Sequence, residues 1–189
     1  MSTLLVRNAD VLVTMTEGRQ EIKNGALLVE NNQLQWIGPG AGIDRFITET
    51  RPDLARDGFD KVVDASGCVI IPGLVNCHHH LYQTLTRTVG TGVGKILFDW
   101  LKFLYPIWAE MTPEAVYVSA KIGLSELVLS GCTTVADHLY LYPNGSKIDD
   151  EIRAAQEVGV RFHPTRGSMS LGESQGGLPP DRVCDSKPD

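Results

Sequence analysis

Two hydrophobic rhythms divide the chain near residue 72. Before that point apolar residues come in short runs bounded by turn residues, the pattern of strands. Leu4-Leu5-Val6 and Val11-Leu12-Val13 flank Asn8-Ala9-Asp10, which reads as a turn. Ala26–Val29 and Leu34–Ile37 flank Glu30-Asn31-Asn32-Gln33, where asparagine tolerates the left-handed backbone of a tight hairpin. Gly38-Pro39-Gly40 breaks the pattern, and residues 41–60 predict a polar loop with a short helix around Asp44–Glu49. Lys61–Asp64 and Cys68–Ile71, around Ala65-Ser66-Gly67, predict a further hairpin.

After residue 72 the period lengthens. Ile96 to Trp108 is apolar at helical spacing (Leu97, Trp100, Leu101, Leu104) and is expected to stop near Pro106, with Trp100 and Trp108 as packing residues. Thr112-Pro113-Glu114 is a helix start: a capping hydroxyl, proline at the first helical position and an acid in the first turn. Gly131 is the matching stop. Thr133–Ala136 predicts a buried strand ending in Asp137-His138, Ile148–Val158 an amphipathic helix closed by Gly159, and Val160–His163 another strand. Strands alternating with helices predict parallel β/α units. Gly90-Thr91-Gly92-Val93-Gly94 does not fit a phosphate-cradling motif and reads as a loop. The Gly-, Ser- and Pro-rich stretch from Ser168 onward carries little periodicity.

Where the rhythms meet, Val69-Ile70-Ile71 turns at Pro72-Gly73, resumes at Leu74-Val75 and runs into Cys77-His78-His79-His80. Successive side chains of an extended chain point to opposite faces. His78 and His80 can therefore converge on one point while His79 points away. Two imidazoles at a strand end make half of a site for a divalent transition metal.

Composition narrows the reading. The 189 residues are 42% hydrophobic, which fits a core-forming protein rather than a disordered one. A net charge of −6 without a basic run argues against nucleic-acid binding. No apolar stretch reaches membrane-span length, and the N-terminus does not resemble a signal peptide. Cys68, Cys77, Cys132 and Cys184 are scattered and read as reduced thiols, mostly core packing, of a cytoplasmic protein. Asn144-Gly145-Ser146 reads as a turn.

Pro72-Gly73-Leu74-Val75-Asn76-x-His78-x-His80 resembles the first-strand signature of the amidohydrolase superfamily. His80–Arg87, Leu97-Phe98-Asp99-Trp100-Leu101, Gly131-Cys132-Thr133-Thr134 and the stretch Arg166–Asp181 are similar to its deaminase and chlorohydrolase branch, which holds 8-oxoguanine deaminases and hydroxydechloroatrazine and triazine hydrolases. The resemblance implies an α/β fold: an amidohydrolase-type (β/α)₈ TIM barrel beside a small β-sandwich. Residues 1–71 would be the N-terminal part of the sandwich and residues 72–189 the start of the barrel. It further implies one divalent metal, zinc or alternatively ferrous iron, held in part by His78 and His80, and a substrate contact from Gln83. His138, His163 and Glu173 are weaker candidates for the pocket.

The implied reaction is deamination of a purine-type ring by attack of a metal-activated hydroxide, with 8-oxoguanine and water going to urate and ammonia. A triazine aminohydrolase is the alternative. The partner is a small molecule, with no nucleic acid or membrane, and a homo-oligomer is compatible. A barrel of this kind takes ~250 residues, and three of its strands are expected here. The chain therefore reads as an N-terminal portion without the later ligands or proton shuttles, inactive alone; a catalytically dead binding partner is the remaining reading.

Overall fold

The computed structural model describes residues 2–185. Contacts divide the chain into two compact units, Met1–Pro72 and Gly73–Asp189. In the first, β1 (Thr3–Val13) pairs antiparallel with β2 (Glu21–Glu30), which pairs antiparallel with β3 (Gln33–Pro39). The β2–β3 turn is the expected hairpin, with Asn31 at φ 55°. Asn8-Ala9-Asp10 is not a turn between strands. It lies within one continuous strand, where the register against β2 slips between Val6 and Ala9 and Asn8 takes φ 65°. A bulge absorbs one extra residue without ending the ladder.

The second hairpin is also corrected. β4 (Lys61–Asp64) and β5 (Val69–Ile70) do not pair with each other; both run parallel to β1, at Leu4–Arg7 and Val11–Leu12. Residues 41–60, expected as a polar loop with a short helix around Asp44–Glu49, hold two helices: α1 (Gly40–Thr50), which contains the expected one, and α2 (Pro52–Asp57). Ile43 and Ile47 sit one helical turn apart and are buried with Leu54 against Leu5, Ala26 and Leu28 of the sheet.

In the second unit, β6 (Leu74–Asn76), β7 (Cys132–Leu139) and β8 (Arg161–Arg166) form a parallel sheet in that order. The β6–β7 connection carries α3 (Leu97–Trp108) and α4 (Pro113–Leu129); the β7–β8 connection carries α5 (Ile148–Val158). The expected helix from Ile148 to Val158 and its glycine stop are both present, Gly159 having φ 79°. One core lies between the sheet and the helices, formed by Leu81, Ala120, Leu124, Val135, Ala154 and Ala155. Another gathers Tyr82, Leu104, Tyr105, Trp108, Val116 and Leu139. α3 runs two residues past Pro106 instead of stopping there. The proline removes one backbone donor, and the buried Tyr105 and Trp108 hold the last turn in place.

Thr112 caps α4 as its sequence implies, its hydroxyl accepting from Ala115 N–H at 3.1 Å. Replacing Thr112 by alanine leaves that donor without its partner and is expected to cost about 1 kcal/mol in denaturant unfolding of the chain. An unchanged midpoint would mean that water replaces the cap at no cost. Of the four cysteines only Cys132 is buried; Cys68 and Cys77 are exposed, so core packing does not account for them. No helix among the described residues is long and apolar enough to cross a membrane.

Candidate functional site

The β6 ladder ends at Asn76, and the histidines follow it outside any regular strand. The His138 N–H donates to the His79 carbonyl at 3.0 Å, carrying the contact with β7 three residues past the last ladder pair. The alternation expected of a strand is thereby kept. The His78 and His80 rings meet edge-on with centroids 5.0 Å apart. His79 turns toward α4, where its ring approaches Gly123 and its buried Nδ1 has no partner. Burial holds the His79 imidazole below the usual histidine range.

His80 Nδ1 lies 2.8 Å from the His138 carbonyl oxygen. A carbonyl only accepts, so Nδ1 carries the hydrogen and Nε2 keeps a free lone pair. A backbone carbonyl in this position fixes both the tautomer and the ring plane, as outer partners of metal-bound histidines do. The donor set thus fits a divalent transition metal as two imidazole ligands of the four that zinc takes. Among the described residues no cluster of three or more His, Cys, Asp or Glu side chains could complete it. His78, His79, Asp137 and His138 line a cleft of about 250 Å³ at the C-terminal ends of the strands, the end where barrel sites lie.

Residues Leu81–Thr86 form a 3₁₀ turn directly after His80. Two buried polar groups pin it. Ser119 of α4 donates its hydroxyl to the Leu81 and Tyr82 carbonyls, both at 2.8 Å, and accepts from Leu85 N–H at 3.2 Å. Asp137 of β7 accepts the Leu81 N–H on Oδ1 at 2.6 Å. α4 approaches this turn closely at Gly123: a Cβ there would lie 2.8 Å from Thr84 Oγ1 and 2.9 Å from Leu81 Cδ2, so those side chains would have to shift. Gln83 follows within the turn, its amide nitrogen donating to the Tyr82 hydroxyl at 3.1 Å and to the Tyr140 hydroxyl at 3.4 Å. Among the described residues no group donates to the amide oxygen. Tyr140, which neither motif nor spacing singled out, stands edge-on to His80 with centroids 5.3 Å apart.

Behind the turn lies a second acid. Glu151, in the first turn of α5, is fully buried, and its carboxyl neighbours that of Asp137. Among the described residues neither Glu151 oxygen nor Asp137 Oδ2 meets a donor from any other group; the Tyr82 N–H is near Glu151 without completing a hydrogen bond. Burial, with the adjacent Asp137, pushes Glu151 up to about 10, and burial raises Asp137 as well. The N-terminus of α5 favours an anion by about 0.3–1 kcal/mol. An unpaired buried charge costs several kcal/mol, so burial wins. An exposed glutamate loses its proton near ~4.3. The folded chain therefore holds more protons than the unfolded one between there and about 10, and stability from Glu151 falls as pH rises through that window.

The other candidates are placed elsewhere. His163 is exposed on β8. Arg166 pairs with Asp185 at 2.7 Å and stacks on Tyr142. Glu173 opens a short 3₁₀ turn whose backbone bonds to Pro179. The Asn144 amide donates to the Ala109 and Met111 carbonyls and so belongs to the fold.

A profile of the Amidohydrolase family matches residues 69–188. The chain is 56% identical over 122 residues to 8-oxoguanine deaminase of Pseudomonas aeruginosa, an alignment covering 64% of this chain and 27% of that protein. It is 29% identical over 191 residues to hydroxydechloroatrazine ethylaminohydrolase of Pseudomonas sp. strain ADP, covering 98% of this chain and 39% of that protein. In structure it matches a triazine hydrolase variant with a TM-score of 0.82 at 27% identity, over 98% of this chain and 40% of that one. Atrazine chlorohydrolase from Arthrobacter aurescens TC1, solved with zinc, matches with a TM-score of 0.77 at 26% identity, over 96% and 39%. The chain thus spans well under half the length of these relatives. With the family signature running through the histidine turn and its strands superposing on those of solved hydrolases, the chain belongs to the amidohydrolase family, and its second unit is part of an amidohydrolase-type barrel.

Proposed function

We propose that this chain contributes the first three barrel strands and part of a companion β-sandwich to a metal-dependent aminohydrolase acting on a purine-type ring, with 8-oxoguanine giving urate and ammonia. The observation that carries the site is the bond from His80 Nδ1 to the His138 carbonyl, which leaves Nε2 free beside the His78 ring. His78 and His80 would hold the metal, zinc or ferrous iron. A divalent ion bound there supplies Lewis acidity that brings water toward ionisation near neutral pH. The chain's own residues then orient the ring. The Gln83 oxygen accepts from a ring N–H, while the Tyr82 and Tyr140 hydroxyls keep the amide from rotating. Tyr82 and Trp108, both buried, pack edge-on to each other behind the turn that carries Gln83. The remaining ligands and the groups that move protons to the leaving amine would come from later strands of a longer chain.

A purine is favoured over a triazine by the 56% identity to a purine-ring deaminase against 29% to the triazine ethylaminohydrolase. The test is an extended chain of the relatives' length, assayed for bound metal, for urate from 8-oxoguanine and for ammonia. About one metal per chain with urate formation is the expected result. Alkylamine release from triazines without purine turnover would transfer the reading to the alternative. A metal-free chain inert on both panels after metal loading would overturn it.

A further inference from the structure

The mechanism above makes no use of Glu151, the one fully buried acid of α5. Its partner Asp137 stands on β7, immediately before the residue whose carbonyl holds His80. Two carboxyl groups side by side in a dry interior have no donor for three of their four oxygens unless one of them supplies it. Asp137 has an amide hydrogen bond on Oδ1 and Glu151 has no completed hydrogen bond from any backbone or side-chain donor, so the charge belongs on Asp137 and the hydrogen on Glu151.

We propose that Glu151 is a positioning residue: a neutral carboxylic acid whose hydroxyl donates to Asp137 Oδ2, leaving a single negative charge on Asp137 that grips the Leu81 N–H and so sets the turn carrying His80 and Gln83. The groups facing the pair are His79 and His80 from the turn, Asp150 from α5 itself and Tyr142 after β7. Asp150 disfavours charge on Glu151, which is the same division. The arrangement needs no metal and stands apart from the choice of substrate.

The test is infrared spectroscopy of the chain at neutral pH together with amide hydrogen exchange. A protonated-carboxyl stretch, separate from the carboxylate bands, is expected in the unsubstituted chain, is expected to vanish in Glu151→Gln, and is expected to persist in Asp137→Asn, where the hydrogen stays on the buried Glu151. Glu151→Gln replaces one donor by another and should keep the Leu81 amide protected. Glu151→Leu removes the donor and should lower that protection on the order of tenfold, while amides of α4 stay protected. If Glu151→Leu does not fold, Asp137→Asn, which offers Leu81 only a neutral acceptor, should lower the same protection. Absence of the band in the unsubstituted chain, its survival in Glu151→Gln, its loss in Asp137→Asn, or unchanged Leu81 protection once the donor or the charge is removed would overturn the proposal.

Discussion

Truncating Trp108 to alanine is expected to lower the unfolding free energy of this chain by about 3–5 kcal/mol, a large share of the ~5–15 kcal/mol that holds an ordinary domain together. Trp108 has no exposed surface. Its ring stands edge-on to Tyr82, Trp100 and Tyr105, with centroids 5.3, 5.4 and 5.5 Å away. Removing it opens a cavity among these aromatic side chains, which relax only partly to fill it. The indole N–H also donates to Thr86 Oγ1 at 2.9 Å, and Thr86 in turn donates to the Gln83 carbonyl at 2.9 Å. The tryptophan thus ties α3 to the turn that follows the histidines. Trp108→Phe keeps most of the apolar contact and loses the N–H, so its smaller cost isolates the hydrogen bond at about 1 kcal/mol. Guanidinium unfolding followed by circular dichroism measures both. A loss below about 1 kcal/mol for the alanine variant would show that α3 is not part of the cooperative core.

His80→Ala, in a chain extended to the relatives' length, is expected to lower metal affinity and turnover by more than about 100-fold. Loss of even an outer partner of a metal ligand commonly costs 10–100-fold, and a direct ligand costs more. His79→Ala should retain the metal, because that ring turns the other way, toward Gly123. His138→Ala should retain it too. The bond to His80 comes from the backbone carbonyl of residue 138, which survives truncation of its side chain. Metal content after dialysis separates these cases. Equal loss of metal from the His79 and His80 variants would remove the geometric basis for choosing the alternate histidines.

Local signals carried a large part of the fold. The cap at Thr112 and the stop at Gly159 act within one helical turn, and both were legible because their chemistry is complete in three or four consecutive residues. The alternation of His78 and His80 is likewise a property of extended backbone alone, and the rings do meet. Strand partnership is different. β4 and β5 read as a hairpin because they are close in sequence, but β1 takes both of them as parallel neighbours. The choice depends on pairing energies across more than fifty residues, which no local pattern encodes.

The same distinction applies within the site. The sequence by itself determined which histidines converge, which segments alternate between strand and helix, and the family to which the chain belongs. Only the tertiary structure decided that the His138 carbonyl fixes the His80 tautomer, that Tyr140 stands beside it, and that Glu151 is the acid taken into the interior. Asp149, Asp150 and Glu151 read alike, as a charged first turn of an amphipathic helix. The packing of α5 against β7 and the turn after His80 singles out the third of them. Burial is a property of the assembled neighbours, and it changes the protonation of a carboxyl whose sequence context is that of an ordinary solvated acid.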